Sequence, residues 1–230
     1  MGAPRAQRGG GRAAWGGAPS QMIVLVARHG ETTWNVEGRY QGRRQSTLSE
    51  LGARQGLALA GAIERERPRI ERIVSSPLVR CVATAEFVAE RIGRSVEIDD
   101  RLIEIGHGNW EGRLRDDIMR EEPQNWFLWK NKPTEITFSE GDSMLKVAER
   151  WRSFASEPPS VPTLVVTHDA VVRAAIVLAR GLSLDDMWTV PMENAAYARF
   201  EATENGWKLL EPCANSHLAG LRADVAKQAL

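Results

Sequence analysis

The chain has 230 residues, 43% hydrophobic and 26% charged, which suits one large α/β domain with its own core. Thirty basic and thirty acidic side chains give a formal net charge of zero, so no global field draws it to nucleic acid or an anionic membrane, and any anion site must be local. Two cysteines and four histidines show no CxxC, HExxH or HxxxH spacing, and no stretch approaches the ~20 apolar residues of a membrane helix, so a reduced, cytoplasmic, metal-free protein is expected.

Residues 1–21 are rich in Gly, Ala and Arg and almost free of large apolar side chains, which predicts a disordered tail ahead of a domain spanning 22–230, with Met22 an alternative start. MIVLVA, Met22 to Ala27, is a continuous apolar run typical of a strand buried on both faces. Ser49 to Arg67 reads as a helix with Leu51, Ala58, Leu59, Ala62 and Ile63 on one face, stopped by Pro68. RIVSSP, Arg72 to Pro77, is a second strand and its following loop. Leu78 to Ile92 is a helix with Leu78, Val82, Ala85, Ala89 and Ile92 in line, and Gly93 closes it. SVEIDD, Ser95 to Asp100, is a third strand.

Residues 101–140 read as irregular and Trp-rich. A helix from about Ser143 to Phe154 follows, with Met144, Val147, Ala148 and Trp151 inward. In EGDS, Asp142 or Ser143 is placed to cap it. TLVVTH, Thr163 to His168, is another buried strand, and Val171 to Arg180 a helix ended by Gly181. AYARFEA and WKLLEP flank Asn205-Gly206, a hairpin signal. Together these predict an α/β fold: a mainly parallel sheet with helices on both faces and an antiparallel C-terminal edge.

In such sheets ligands bind past the C-terminal strand ends. Those ends deliver Arg28-His29-Gly30, then Ser75-Ser76-Pro77 with Arg80 one turn on, then Thr167-His168. A phosphate monoester carries about −1.5 to −2 charges, arginine forks match its oxygens, and a neutral imidazole can attack phosphorus. The leaving alkoxide needs a proton, and water must later lose one. Glu104, among Leu102, Ile103 and Ile105, is the candidate for both, with Glu31 a rival by its nearness to His29.

RHGET with Trp34-Asn35, RYQG, LSELGARQ, SSPLVR, EIGHGNWEG and THDAVVR resemble, in order, the histidine phosphatase superfamily and its phosphoglycerate-mutase-like fold. The resemblance implies His29 as nucleophile, Arg28, Arg80 and His168 as the phosphate pocket, and Glu104 as proton donor and acceptor. It places Asn35, Gln41 and Gly42 at the pocket rim and makes about 101–140 a cap over the site. Two departures stand out: His168-Asp169-Ala170 replaces the usual His-Gly-Gly, and EGDS the usual Gly-Gly-Glu-Ser.

Mutases carry Arg-His-Tyr after the glutamate where this chain has Ile105-Gly106-His107, which favours a phosphatase. IEIGHGNWEG, NAAY and SHLAGL are similar to segments of metal-independent phosphoserine phosphatases. His107 and His217 are therefore candidates for recognising a substrate carboxylate, His107 as a charged or neutral donor. No cofactor is implied. The expected partner is a small phosphomonoester, not nucleic acid or membrane, and a homodimer is left open. Alternatives are a phosphatase for a sugar phosphate, a phosphoglycerate derivative or α-ribazole phosphate, a phosphoglycerate mutase, and a non-catalytic module that binds a phospholigand.

Overall fold

The computed structural model describes residues 22–203 and 206–230. The expectation for residues 1–21 therefore lies outside the described residues. β1 (Met22–Arg28) is followed by α1 (Thr33–Glu37), α2 (Glu50–Arg65), β2 (Arg72–Ser75), α3 (Val79–Ile92) and β3 (Val96–Ile98). Then come α4 (Arg115–Glu121), α5 (Pro123–Asn131), α6 (Met144–Ala155), β4 (Thr163–Thr167), α7 (Asp169–Ala179), β5 (Tyr197–Thr203) and β6 (Gly206–Ala214). The strand order is β3-β2-β4-β1-β5-β6. β1, β2, β3 and β4 are parallel, and β5 and β6 form the antiparallel edge.

β4 is buried along its whole length, as its apolar run requires, and β1 from Val24 onward. α2 packs on α3 and α6 on α7. Ser49 caps α2 by accepting from the Gly52 amide, and Ser143 caps α6 by accepting from the Lys146 amide. The expected hairpin forms, with Thr203 opposite Gly206, although Asn205 lies outside the described residues.

Two expectations change. Residues 101–140 are not wholly irregular: they contain α4 and α5. Asp116 and Asp117 occupy the first turn of α4 and Pro123 the first turn of α5, favourable terminal residues on helices too short to show a clear apolar period. In α3 the buried stripe is Cys81, Ala85, Val88 and Ala89 rather than one through Val82, which is only half-buried. The stripe is displaced because α3 also turns Arg80 and Thr84 inward, toward the ends of β1 and β4.

The loop after β1 runs hard against the start of α2. A β-carbon on Gly52 would overlap the Glu31 carbonyl, and one on Gly30 would come within 2.6 Å of the Gly52 oxygen. Gly52→Ala should therefore destabilise by about 1–3 kcal/mol, although alanine ordinarily favours a helix. Urea unfolding of the variant measures this. An unchanged or raised stability would show that the loop yields.

Candidate active site

Parallel pairing sets Arg28 opposite Thr167 and places Ser75 beside Val166. Each chain then leaves the sheet at the same level. The His29 amide donates to the Thr167 carbonyl at 2.9 Å, and the rings of His29 and His168 meet edge to face, 5.3 Å between centroids. One cavity is lined by Arg28, His29, Asn35, Gln41, Gly42, Arg80, Glu104 and His107, together with Trp129, Asp169, Trp188 and Leu230.

His29 is 3% exposed. Its Nδ1 lies 2.7 Å from the Gly30 carbonyl oxygen. That oxygen can only accept, so Nδ1 carries the hydrogen and Nε2 keeps its lone pair. Burial, then Arg80 and Arg28, hold the imidazole well below its usual pKa, so it is neutral. The same causes, burial first, keep His168 neutral. The Nε2 of His168 is 2.7 Å from Ser76 Oγ.

The two arginines are buried, Arg80 held by neutral carbonyls and Arg28 by an amide oxygen and a carboxylate. Arg80 donates from Nη1 to the Arg44 carbonyl (2.9 Å) and from Nη2 to the Gly42 carbonyl (2.7 Å). Arg28 donates from Nη2 to Gln228 Oε1 at 2.6 Å, and its Nη1 lies 3.2 Å from Asp169 Oδ1. The Nε of each arginine is buried without a partner. These cations and an unprotonated imidazole nitrogen face one cavity, an arrangement that can hold a phosphoryl group and attack it.

Glu104 faces the same cavity, with Oε1 accepting from the Ile105 amide at 2.9 Å. Burial raises its pKa to about 7, opposed by that hydrogen bond and by Arg80. Glu31, the rival, is excluded by its neighbours: its Oε1 accepts from Ser49 Oγ at the start of α2, and it does not line the cavity. Arg28 accordingly pairs with Asp169, not Glu31.

The rim residues are structural as well as wall-forming. Asn35 makes a capping box with Thr32 at the start of α1, and Gln41 Oε1 accepts from Thr32 Oγ1 and Ser46 Oγ. His107 is buried among Tyr40, Trp129 and Phe138, and neither ring nitrogen has a hydrogen-bond partner. Burial, with Arg80 and Lys130, lowers its pKa to about 3, so a charged His107 is ruled out at neutral pH. His217 is also corrected. Its Nε2 bonds the Ala195 carbonyl at 2.9 Å and its ring stacks on Tyr197, outside the cavity lining. The Ala195 amide donates to the carbonyls of Arg28 and His29, so His217 supports the site only from behind.

Several residues that line the cavity (Trp129, Trp188, Leu230) or brace it from behind (Gln228, Lys130) carry no signal in the sequence. Gln228 bridges Arg28 and Asn194 Oδ1. Trp129 Nε1 donates to the Leu230 oxygen at 2.7 Å, with Lys130 Nζ 3.3 Å from the same oxygen and 3.5 Å from the Trp188 ring centre. Nothing local in AKQAL signals such a role. Among the described residues no group of three or more His, Cys, Asp or Glu side chains is placed to hold a metal ion, and no helix is long and apolar enough to cross a membrane.

The model of the histidine phosphatase superfamily, branch 1, matches residues 24–214. The chain belongs to this superfamily. It is 32% identical over 208 residues to phosphoserine phosphatase 1 of Hydrogenobacter thermophilus, covering 89% of this chain and 98% of the relative. It is 34% identical over 163 residues to glucosyl-3-phosphoglycerate phosphatase of Mycobacterium tuberculosis, covering 66% and 72%. The solved native structure of a mycobacterial glucosyl-3-phosphoglycerate phosphatase superposes with a TM-score of 0.72 at 29% identity, over 83% of this chain and 97% of that one. The protein is a phosphomonoesterase of the histidine phosphatase type.

The raised pKa of Glu104 has a consequence for stability. Above pH 7 the folded protein must carry a buried charge that the unfolded chain carries freely, so stability falls as pH rises from 4.5 to about 7. An offset of about 2.5 pH units corresponds to about 3 kcal/mol. Glu104→Gln should gain stability over the wild type by up to that amount at pH 8 and by little at pH 4.5. Urea titrations across this range test it, and a pH-independent difference would place the carboxyl in a solvated setting.

Proposed function

We infer that the protein hydrolyses a small phosphomonoester through a phosphohistidine on His29, and that its substrate is phosphoserine. The first part is carried by the His29 tautomer: with Nδ1–H committed to the Gly30 carbonyl, Nε2 is the nitrogen free to react. The Nε2 lone pair forms a bond to phosphorus as the bond to the ester oxygen breaks. Arg28 and Arg80 hold the phosphoryl oxygens, and His168, fully buried outside the cavity lining with Nε2 on Ser76 Oγ, packs edge to face against the His29 ring. The leaving alkoxide takes the proton of Glu104. The resulting carboxylate then removes a proton from water, whose oxygen attacks phosphorus as the P–N bond breaks. A carboxyl with a pKa of about 7 serves both half-reactions near neutral pH. The cationic side chains supply the charge stabilisation, so no metal is called for.

The test of the nucleophile is His29→Ala. Turnover of p-nitrophenyl phosphate should fall by about a thousandfold or more, with circular dichroism unchanged. A folded variant that keeps more than a few per cent of the rate overturns the assignment.

The choice of phosphoserine is supported by His107. A buried imidazole with two unpartnered nitrogens is costly unless a ligand completes it. It lines the cavity three residues beyond Glu104 and, being neutral, can donate one N–H to a carboxylate. Beside it, Trp129 Nε1 and Lys130 Nζ already hold an oxygen, that of Leu230. The similarity to a relative named phosphoserine phosphatase supports the same reading. His107→Ala should lower kcat/KM for phosphoserine by about 1–3 kcal/mol and leave p-nitrophenyl phosphate nearly unchanged. Equal losses on both substrates would make His107 part of the general architecture, and no phosphoserine turnover by the wild type would remove phosphoserine as the substrate.

A further inference from the structure

Asp169 places a carboxylate in the wall of an anion pocket, directly after His168 in the first turn of α7. Its Oδ2 is committed to Arg173 Nε at 2.6 Å, and Arg173 is anchored in turn on the Val190 carbonyl. This fixes the direction of the carboxyl plane. The other oxygen, Oδ1, is buried, makes no hydrogen bond, and has Arg28 Nη1 at 3.2 Å as its cationic neighbour. The residue as a whole is 4% exposed. The bond to Arg173 accounts for Oδ2, while Oδ1 has the Arg28 ion pair but no hydrogen-bond donor.

Arg28 is the group that a phosphoryl dianion claims. Once it does so, Asp169 Oδ1 and the phosphoryl oxygens share one guanidinium, and two anions are held close together in a site with little solvent to screen them. A substrate made of phosphate and neutral or anionic groups bears this repulsion in full. A substrate with an ammonium group near the phosphate cancels it and gives Oδ1 its missing donor. Lys130 does not take that place, since its ammonium lies over Trp188 and beside the Leu230 oxygen.

We propose that Asp169 Oδ1 is the acceptor for an ammonium group on the substrate, and that it selects amino-bearing phosphomonoesters by penalising those without a cation. The proposal rests on the reading of this cavity as a phosphomonoesterase site. It adds a recognition element separate from the carboxylate contact assigned to His107. Repulsion against the wrong ligand and attraction for the right one then come from a single oxygen.

The test compares four substrates on the full chain: phosphoserine, its des-amino analogue 3-phosphooxypropionate, phosphoethanolamine, and p-nitrophenyl phosphate. The wild type should prefer phosphoserine to the des-amino analogue by about tenfold or more in kcat/KM, the scale of a hydrogen bond between charged groups. Asp169→Asn should collapse that ratio and improve the relative rate on the des-amino analogue. A wild-type ratio near one overturns the proposal, and this measurement needs no variant, so a misfolded Asp169→Asn does not rescue it. A ratio that survives unchanged in a folded Asp169→Asn also overturns it. Phosphoethanolamine separates the two readings. If it is hydrolysed as well as phosphoserine and its advantage over p-nitrophenyl phosphate is lost in Asp169→Asn, the carboxylate reading fails while the ammonium proposal stands.

Discussion

The register of β1 on β4 is the constraint on which the site depends. Arg28 pairs with Thr167, so the residues that follow, His29 and His168, leave the sheet side by side. Side chains alternate across a strand with a period of two, so a slip of one residue would send Arg28 to the opposite face. The continuous apolar runs of both strands would tolerate many registers. The loop contacts select one. Gly30 must fit against Gly52, its amide must reach Thr84 Oγ1, and the His29 amide must reach the Thr167 carbonyl. The position of the His29 imidazole is thus set by backbone, not by a flexible side-chain network.

The same constraint crowds like charges. Arg28, Arg80 and Arg173 are all buried near two imidazoles. The fold accommodates them in two ways. The imidazoles remain neutral, which leaves His29 a usable lone pair, and the guanidinium groups are held by carbonyls, an amide side chain and one carboxylate. These partners keep the forks oriented before any ligand arrives, and orientation fixed in advance is what lowers the cost of stabilising developing charge. Gln228 and Asp169 therefore have a double character, as supports for the cations and as competitors with an incoming anion.

The part of the site closest to the chemistry was legible because strand ends advertise it. The change from Val26-Ala27 to Arg28-His29-Gly30, and from Val166 to Thr167-His168, stands out because the same kind of break recurs at the ends of two buried apolar strands. His217 was misplaced for the opposite reason. A histidine near the C-terminus carries no local mark of which way it faces, and here it turns to Ala195 and Tyr197. His107 lines the cavity, but its charge depends on complete burial among Tyr40, Trp129 and Phe138, which no local pattern reveals.

By itself, then, the sequence determined the elements, the parallel core with its antiparallel edge, and the gathering of Arg28, Arg80, His29 and Glu104 at one cavity. Each of these is written in a local period or a break in one. Only the tertiary structure decided the remaining walls. Trp129, Trp188 and Leu230 reach the cavity from α5, the segment before β5 and the end of the described chain, with Lys130 and Gln228 holding Leu230 and Arg28 from outside the lining; none of them shares a sequence period with β1. It also decided the role open to Asp169, since an oxygen without a donor exists only once Arg173 has taken the other. Long-range contacts assign direction and protonation, and neither property belongs to a residue until its neighbours are in place.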